Sequence, residues 1–213
     1  MANEELREAN KERVLQAAIW CFLHMGIEST TRMSIAKKAG VTERSVQRYF
    51  GNLESLRLEA MKVFMRDYST MLYTRYQERI SEKDSGAERL KVFLKTYAYS
   101  IEIDDPKISL VAHEIEIHFI KNRIPFDCVN AGIYDANTRD NLIHELLQKG
   151  KTDGSINASV DIEKIYMYII TTFPGMLVRT AMLSRNDFYT GSDMLTRTII
   201  DQYIDVLDGL INL

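Results

Sequence analysis

The twelve residues "AGVTERSVQRYF", Ala39 to Phe50, decide how this chain reads. Ala39-Gly40 closes one helix, because glycine adopts the left-handed conformation in which helices commonly end. Thr42 is a good N-cap, and a new helix is expected from Glu43 to Phe50. A helix that short is unstable alone. On a wheel of about 100° per residue, Val46 and Phe50 fall together, with Tyr49 flanking them. Arg44, Gln47 and Arg48 fall on the opposite side. Burying Val46 and Phe50 against neighbouring helices would hold the segment in place and leave its polar side free.

The preceding stretch, "TTRMSIAKKAG", supplies a partner helix. Thr31 is its expected N-cap, Ile35, Ala36 and Ala39 form its inner side, and Lys37 points away from that side. Two short helices joined by Ala39-Gly40-Val41-Thr42 make a helix-turn-helix. From Thr31 to Asn52 there are five basic residues and one acidic residue, a local charge of +4 in a chain of net charge −3. Local basicity is what phosphate contact requires. An arginine fork can engage both acceptors of a guanine edge, and Gln47 suits adenine or a phosphate. The helix N-termini at Thr31 and Thr42 offer N–H groups to phosphate. The plainer alternative is a solvated polar face within an ordinary bundle.

The rest of the chain sets the frame. Apolar residues make up 46% of 213, with only 3 prolines and no alternating β-branched runs, so an all-α protein of about nine helices is expected. Cys21 and Cys128 lie far apart and form no CxxC, which points to reduced thiols and a cytoplasmic setting. The N-terminal "MANEELREANKER" lacks the apolar region of a signal peptide, and no apolar run is long enough to span a membrane.

A first helix is expected from about Asn3 to Met25, apolar on two sides. Val14, Ala17, Ala18, Cys21, Phe22 and Met25 form one strip, and Ile19, Trp20 and Leu23 a second that would pack against the body of the protein. A long fourth helix, about Leu53 to Ile80, carries Met61, Phe64, Met65, Tyr68, Leu72 and Tyr76 inward. Five more follow: Gly86 to Ile101, Pro106 to Asn122, Tyr134 to Lys149 with Gly150 as the stop, Asp161 to Ser184, and Ser192 to Leu210. Asn122 to Gly132 reads as a loop, and Pro174-Gly175 should kink the eighth helix.

Arg13 to Leu56 closely resembles the N-terminal DNA-binding domain of TetR-family transcriptional regulators. The matching features are Ala17-Ala18, Phe22, Gly26, Thr30-Thr31, Ile35-Ala36, Ala39-Gly40-Val41, Tyr49-Phe50 and Leu56, spaced without gaps. The resemblance implies a homodimeric, ligand-responsive regulator, usually a repressor, that binds double-stranded DNA at a pseudo-palindromic operator. It implies a DNA-binding domain over 1–52 and an effector and dimerisation domain over 53–213. It places DNA contacts at Thr31, Arg32, Thr42, Arg44, Ser45, Gln47, Arg48 and Tyr49. Gln47 stands where members often carry a tyrosine, and Leu53 where they often carry a lysine. Both departures change the phosphate clamp, with Arg48, Tyr49 and Asn52 as compensating groups.

In the C-terminal part, a pocket between the fourth and eighth helices would be lined by Phe64, Tyr68, Tyr97, His113, Ile117 and Thr171. Such a lining favours a small apolar or amphipathic effector with one or two polar anchors. Leu195, Ile199, Gln202, Val206 and Leu210 form a helical stripe suited to packing in the core or across a dimer. "AHEIEIHF" raises a competing possibility, a helical enzyme or interaction protein using His113, Glu114 and His118. His113 and His118 are badly angled for joint ligation, however, and no HExxH, GxSxG or phosphate-loop motif occurs. No metal or cofactor is expected, and no enzymatic activity.

Overall fold

The structure is a computed structural model that describes residues 2–103, 106–124, 142–184 and 192–212. Its helices are α1 (Ala2–Met25), α2 (Arg32–Ala39), α3 (Glu43–Phe50), α4 (Leu53–Gln77), α5 (Gly86–Ile103), α6 (Pro106–Asn122), α7 (Leu142–Asp153), α8 (Ile162–Ser184) and α9 (Ser192–Asn212). No strand occurs among the described residues. The all-α class is as the sequence implies.

Local chemistry sets the N-terminal boundaries. Thr31 Oγ1 accepts from the Ser34 N–H at 3.1 Å, and Ser34 Oγ accepts from the Thr31 N–H at 3.0 Å, a reciprocal capping box. Thr42 Oγ1 accepts from the Ser45 N–H at 3.1 Å. Between these caps, Gly40 takes φ 65° and ψ 36°, and the Val41 N–H reaches back to the Ala36 carbonyl at 3.0 Å. A side chain in that left-handed conformation costs roughly 1–2 kcal/mol, so glycine makes this turn tight.

Two apolar clusters form the interior. The first gathers α1 to α3, the α4 side chains from Leu56 to Leu72, and Val111, Ala112, Ile115 and Phe119 of α6. The second joins Tyr76 to α5, α7, α8 and α9. The expected inward residues of α4 are all buried, and α4 contributes to both clusters. Tyr97 packs against both.

Some boundaries depart from expectation. The fourth helix ends at Gln77, short of Ile80, and the chain then turns at Ser81, whose N–H donates to Asp84 Oδ2 at 2.6 Å. Residues 134–141 lie outside the described residues, so the start expected at Tyr134 does too, as do residues 125–132 of the expected loop and Cys128. The described part of this helix, α7, passes through Gly150 and stops at Asp153, before Gly154 with φ 76°. Gly150 has a packing role. A Cβ built on Gly86 at the start of α5 would run into the backbone of Gly150, so Gly86 leaves no room for a side chain, while one on Gly150 would press on the end of the Ile156 side chain. α8 is helical on both sides of Pro174.

Trp20 is the clearest correction. It is 38% exposed, stacked on His24 with ring centroids 3.9 Å apart, and covered by Lys38, whose Nζ lies 3.8 Å from the ring centre. A cation on α2 therefore holds it at the surface. Ile19 and Leu23 do pack, partly buried, against the cluster that includes α6.

Candidate DNA interface and effector cavity

Val46 and Phe50 are buried, at 2% and 7% exposure. At roughly 1.5–3 kcal/mol for each fully buried large side chain, these two contacts are of the same size as the nucleation cost of an eight-residue helix and offset it. The opposite side of α3 is open, with Arg44, Gln47 and Arg48 exposed, and so are Thr31, Lys37 and Thr42. Arg32 and Ser45 are half-buried.

The hydrogen bonds divide this face. Thr31, Thr42 and Ser45 are engaged in caps, and the Thr42 and Ser45 hydroxyls also pair at 3.0 Å. They set the N-termini of α2 and α3, which aims free backbone N–H groups outward. The Arg32 Nη1 donates to Gln47 Oε1 at 3.4 Å. The Arg48 Nη2 donates to the Tyr49 hydroxyl at 3.2 Å, with the guanidinium 5.1 Å from the Tyr49 ring centre. Tyr49 in turn meets Phe50 edge to face at 6.5 Å. Asn52 caps α4, its Oδ1 accepting from the Ser55 N–H at 2.8 Å.

Sequence reasoning missed Arg57. Its Nη2 donates to the carbonyls of Thr30 at 2.7 Å and Glu28 at 3.0 Å, while Nη1 meets Glu54 Oε1 at 2.8 Å. It ties the turn before α2 to the first part of α4. Thr30, fully buried, braces the same turn by donating to the Gly26 carbonyl at 2.8 Å. The only sequence signal was an arginine three residues after a glutamate, which usually marks a solvated surface pair.

Of the six pocket residues inferred from sequence, the fold brings four together. Phe64 stacks near Tyr68 (6.1 Å), Tyr68 meets Tyr97 edge to face (6.2 Å), and Tyr97 and His113 line one cavity. Ala112, Glu116, Pro174, Leu177 and Val178 complete it, at about 10 Å³. Any larger occupant must part α5, α6 and α8. Ile117 and Thr171 lie elsewhere. Ile117 is 38% exposed, and Thr171 is exposed with its hydroxyl donating to the Met167 carbonyl at 2.6 Å. On α6, Ile115 rather than Ile117 faces in, because the helix turns its other side to α1 and α4.

His113 Nδ1 sits 3.5 Å from Glu116 Oε2. Burial pushes the Glu116 carboxyl up, opposed by its neighbour His113. Burial likewise holds the Tyr97 phenol well above its usual range. Glu114 is exposed, and among the described residues no three His, Cys, Asp or Glu side chains are placed to hold a metal ion. An aromatic series continues from Tyr97 through Phe173 (5.8 Å) to Tyr203 (5.2 Å), whose hydroxyl pairs with Thr172 Oγ1 at 2.9 Å.

On α9 the inward stripe is Ile200, Tyr203, Ile204, Leu207 and Ile211. The stripe expected to pack lies beside it: Val206 is 54% exposed, Gln202 is exposed, and Ile199 and Leu210 are half-buried. The Leu195 side chain lies outside the described residues. No helix among the described residues is long and apolar enough to cross a membrane.

Residues 14–60 match the family model of "Bacterial regulatory proteins, tetR family". The HTH-type transcriptional repressor KstR2 of Mycolicibacterium smegmatis is 25% identical over 165 residues, covering 77% of this chain and 76% of that protein. KstR2 of Rhodococcus jostii is 24% identical over 207 residues, covering 96% and 92%. Among solved structures, the ketosteroid transcriptional regulator KstR2 of Mycobacterium tuberculosis superposes with a TM-score of 0.63 at 18% identity, over 95% of each chain, which shows a shared fold. With a capped α3, an open basic face and these matches, residues 14–60 carry the N-terminal domain of tetR-family regulatory proteins, and the chain as a whole is similar to transcriptional repressors of that kind.

Proposed function

We propose that the protein is a cytoplasmic, homodimeric repressor that leaves a pseudo-palindromic operator when a small apolar or amphipathic effector binds. The observation that carries this reading is the amphipathic α3, which buries Val46 and Phe50 and presents Arg44, Gln47 and Arg48. Residues 1–52 form the DNA-binding unit, and 53–213 the effector and dimer unit. Thr31, Thr42, Ser45 and the helix ends they cap seat phosphates. Lys37, Arg48, Tyr49 and Asn52 border the same face, and Arg44 and Gln47 reach base edges.

The effector enters between Tyr97 and His113, with Phe64 and Tyr68 behind them. An aromatic lining with one histidine–glutamate pair suits a mainly apolar molecule with a polar end. The similarity to ketosteroid regulators fits the same chemistry. The near-closed cavity means that binding parts α5, α6 and α8, and Tyr68 of α4, which meets Tyr97 of α5, takes up the displacement of α5. Arg57 and the Asn52 cap couple α4 to the helix-turn-helix. Paired recognition helices must match major grooves about 34–36 Å apart, so a small movement of α4 is enough to break the register. The outer stripe of α9, with Met167 and Met182 exposed on α8, forms the dimer face.

Selection of bound sequences from a random DNA pool tests the reading. A two-half-site motif is the expected result, with affinity falling steeply as salt rises. Recovery of no preferred sequence by the dimer of this chain would overturn it.

A further inference from the structure

The matched segment begins at residue 14, yet α1 starts at Ala2, so three turns of helix precede it. These turns lie beside the recognition helix. Glu4, Leu6, Arg7 and Asn10 of α1 face Arg48 and Tyr49 of α3 across an open cleft of about 590 Å³. The Asn10 Oδ1 already accepts from the Arg13 Nη2 at 2.8 Å, which leaves the Asn10 amide nitrogen as a donor. Arg48 is held at the cleft by the Tyr49 hydroxyl, and Arg7 carries no ion pair with another described residue. Two guanidiniums, an amide and a phenol thus converge from two helices, against the single carboxylate of Glu4. That is donor chemistry for a phosphodiester, and the cleft is continuous with the face that α3 offers to DNA.

We propose that this cleft seats a phosphate of the DNA backbone flanking the recognition site, with Arg7 and Asn10 as its α1 contacts. This rests on the DNA-binding reading above. A guanidinium brought in from α1 makes up for the lysine that Leu53 does not supply at the start of α4. Contacts to phosphate carry no base information, so the seat raises affinity for every sequence alike.

The test uses the full chain and DNA recovered from the random pool, measured at several salt concentrations beside an unrelated duplex. Arg7→Ala should weaken binding to both duplexes by a similar factor, about 3- to 10-fold at low salt, and lower the salt slope by about one. Glu4→Gln should tighten both. Both residues are solvent-exposed, and unchanged circular dichroism would confirm intact folds. If Arg7→Ala and Arg7→Glu both bind with wild-type affinity and slope, the phosphate seat is wrong while the regulator reading stands. If the unmodified protein selects no DNA, both fall together.

Discussion

The Arg32 guanidinium on α2 donates to the side-chain oxygen of Gln47 on α3, at 3.4 Å, linking the two helices of the helix-turn-helix across their exposed face. This bond engages the Gln47 side-chain oxygen and leaves its amide nitrogen as the remaining donor. Bidentate pairing with adenine uses both ends of an amide, so a Gln47 held this way acts first as a donor. Arg32→Ala should therefore broaden or change the base preference at the position Gln47 faces while leaving the other positions intact. Sequencing pools selected by the two proteins measures this. Identical motifs would remove the positioning role of Arg32.

Arg44 and Arg48 separate for a related reason. Arg44 has no partner among the described residues, whereas Arg48 is folded onto Tyr49. Arg44→Ala should cost about 1–3 kcal/mol on the preferred sequence and relax one base position. Arg48→Ala should weaken preferred and unrelated DNA alike, with a shallower salt dependence. Fluorescence anisotropy titrations on both duplexes distinguish the two patterns.

Gly86→Ala tests the crossing of α5 and α7. The added Cβ meets the Gly150 nitrogen and Cα, backbone atoms that cannot rotate away. A destabilisation of about 2–3 kcal/mol is expected, as for overpacked cores. In a chain of this size it would lower the melting temperature by roughly 4–12 °C. Calorimetry reads the shift, and a melting temperature within a degree of wild type would contradict the crossing.

Val206→Asp tests the proposed dimer face. Val206 is 54% exposed on α9, so the charge should leave the protomer's fold unaltered while opposing burial in an interface. Sedimentation should show a protomer of 24.6 kDa where the unsubstituted chain is a dimer. Operator affinity should fall with it, because two half-sites bind cooperatively only through a joined pair.

Alkaline pH should destabilise the second apolar cluster in a defined window. Burial pushes the Tyr76 and Tyr203 phenols up to about 12 from their ordinary value near 10. Both folded values lie above the unfolded ones, so their stabilisation is complete below pH 10 and is lost as pH rises towards 12. Denaturant titrations across that range should show stability falling by up to about 2–3 kcal/mol for each group. Tyr76→Phe should flatten part of the decline.

Most of the fold was legible because its signals are local. Thr31 and Thr42 announce helix starts through their own hydrogen bonds, and Gly40 announces a turn through its backbone freedom. The α4 stripe from Met61 to Tyr76 repeats at helical spacing, so its inward side could be read without knowing what covers it. The helix-turn-helix face followed from the same periodicity, since burying Val46 and Phe50 obliges Arg44, Gln47 and Arg48 to face away.

What was not legible depends on partners distant in sequence. Trp20 looks like a core residue until Lys38 is seen to hold it at the surface, and Gly150 looks like a helix stop until α5 crosses it. Ile117 and Thr171 are apolar or neutral residues on helices with several neighbours, and periodicity cannot say which neighbour takes which side. Arg57 reads as a surface arginine until the carbonyls of Glu28 and Thr30 come within reach. The sequence alone determined the all-α class, the division of α3 into a buried and an exposed side, and the resemblance to TetR-family regulators. Only the tertiary structure decided which apolar strips meet, how small the cavity between Tyr97 and His113 is, and that the first turns of α1 stand beside α3. Caps and periodicity are properties of neighbouring residues in the chain, whereas packing and charge pairing are settled only when distant segments compete for the same space.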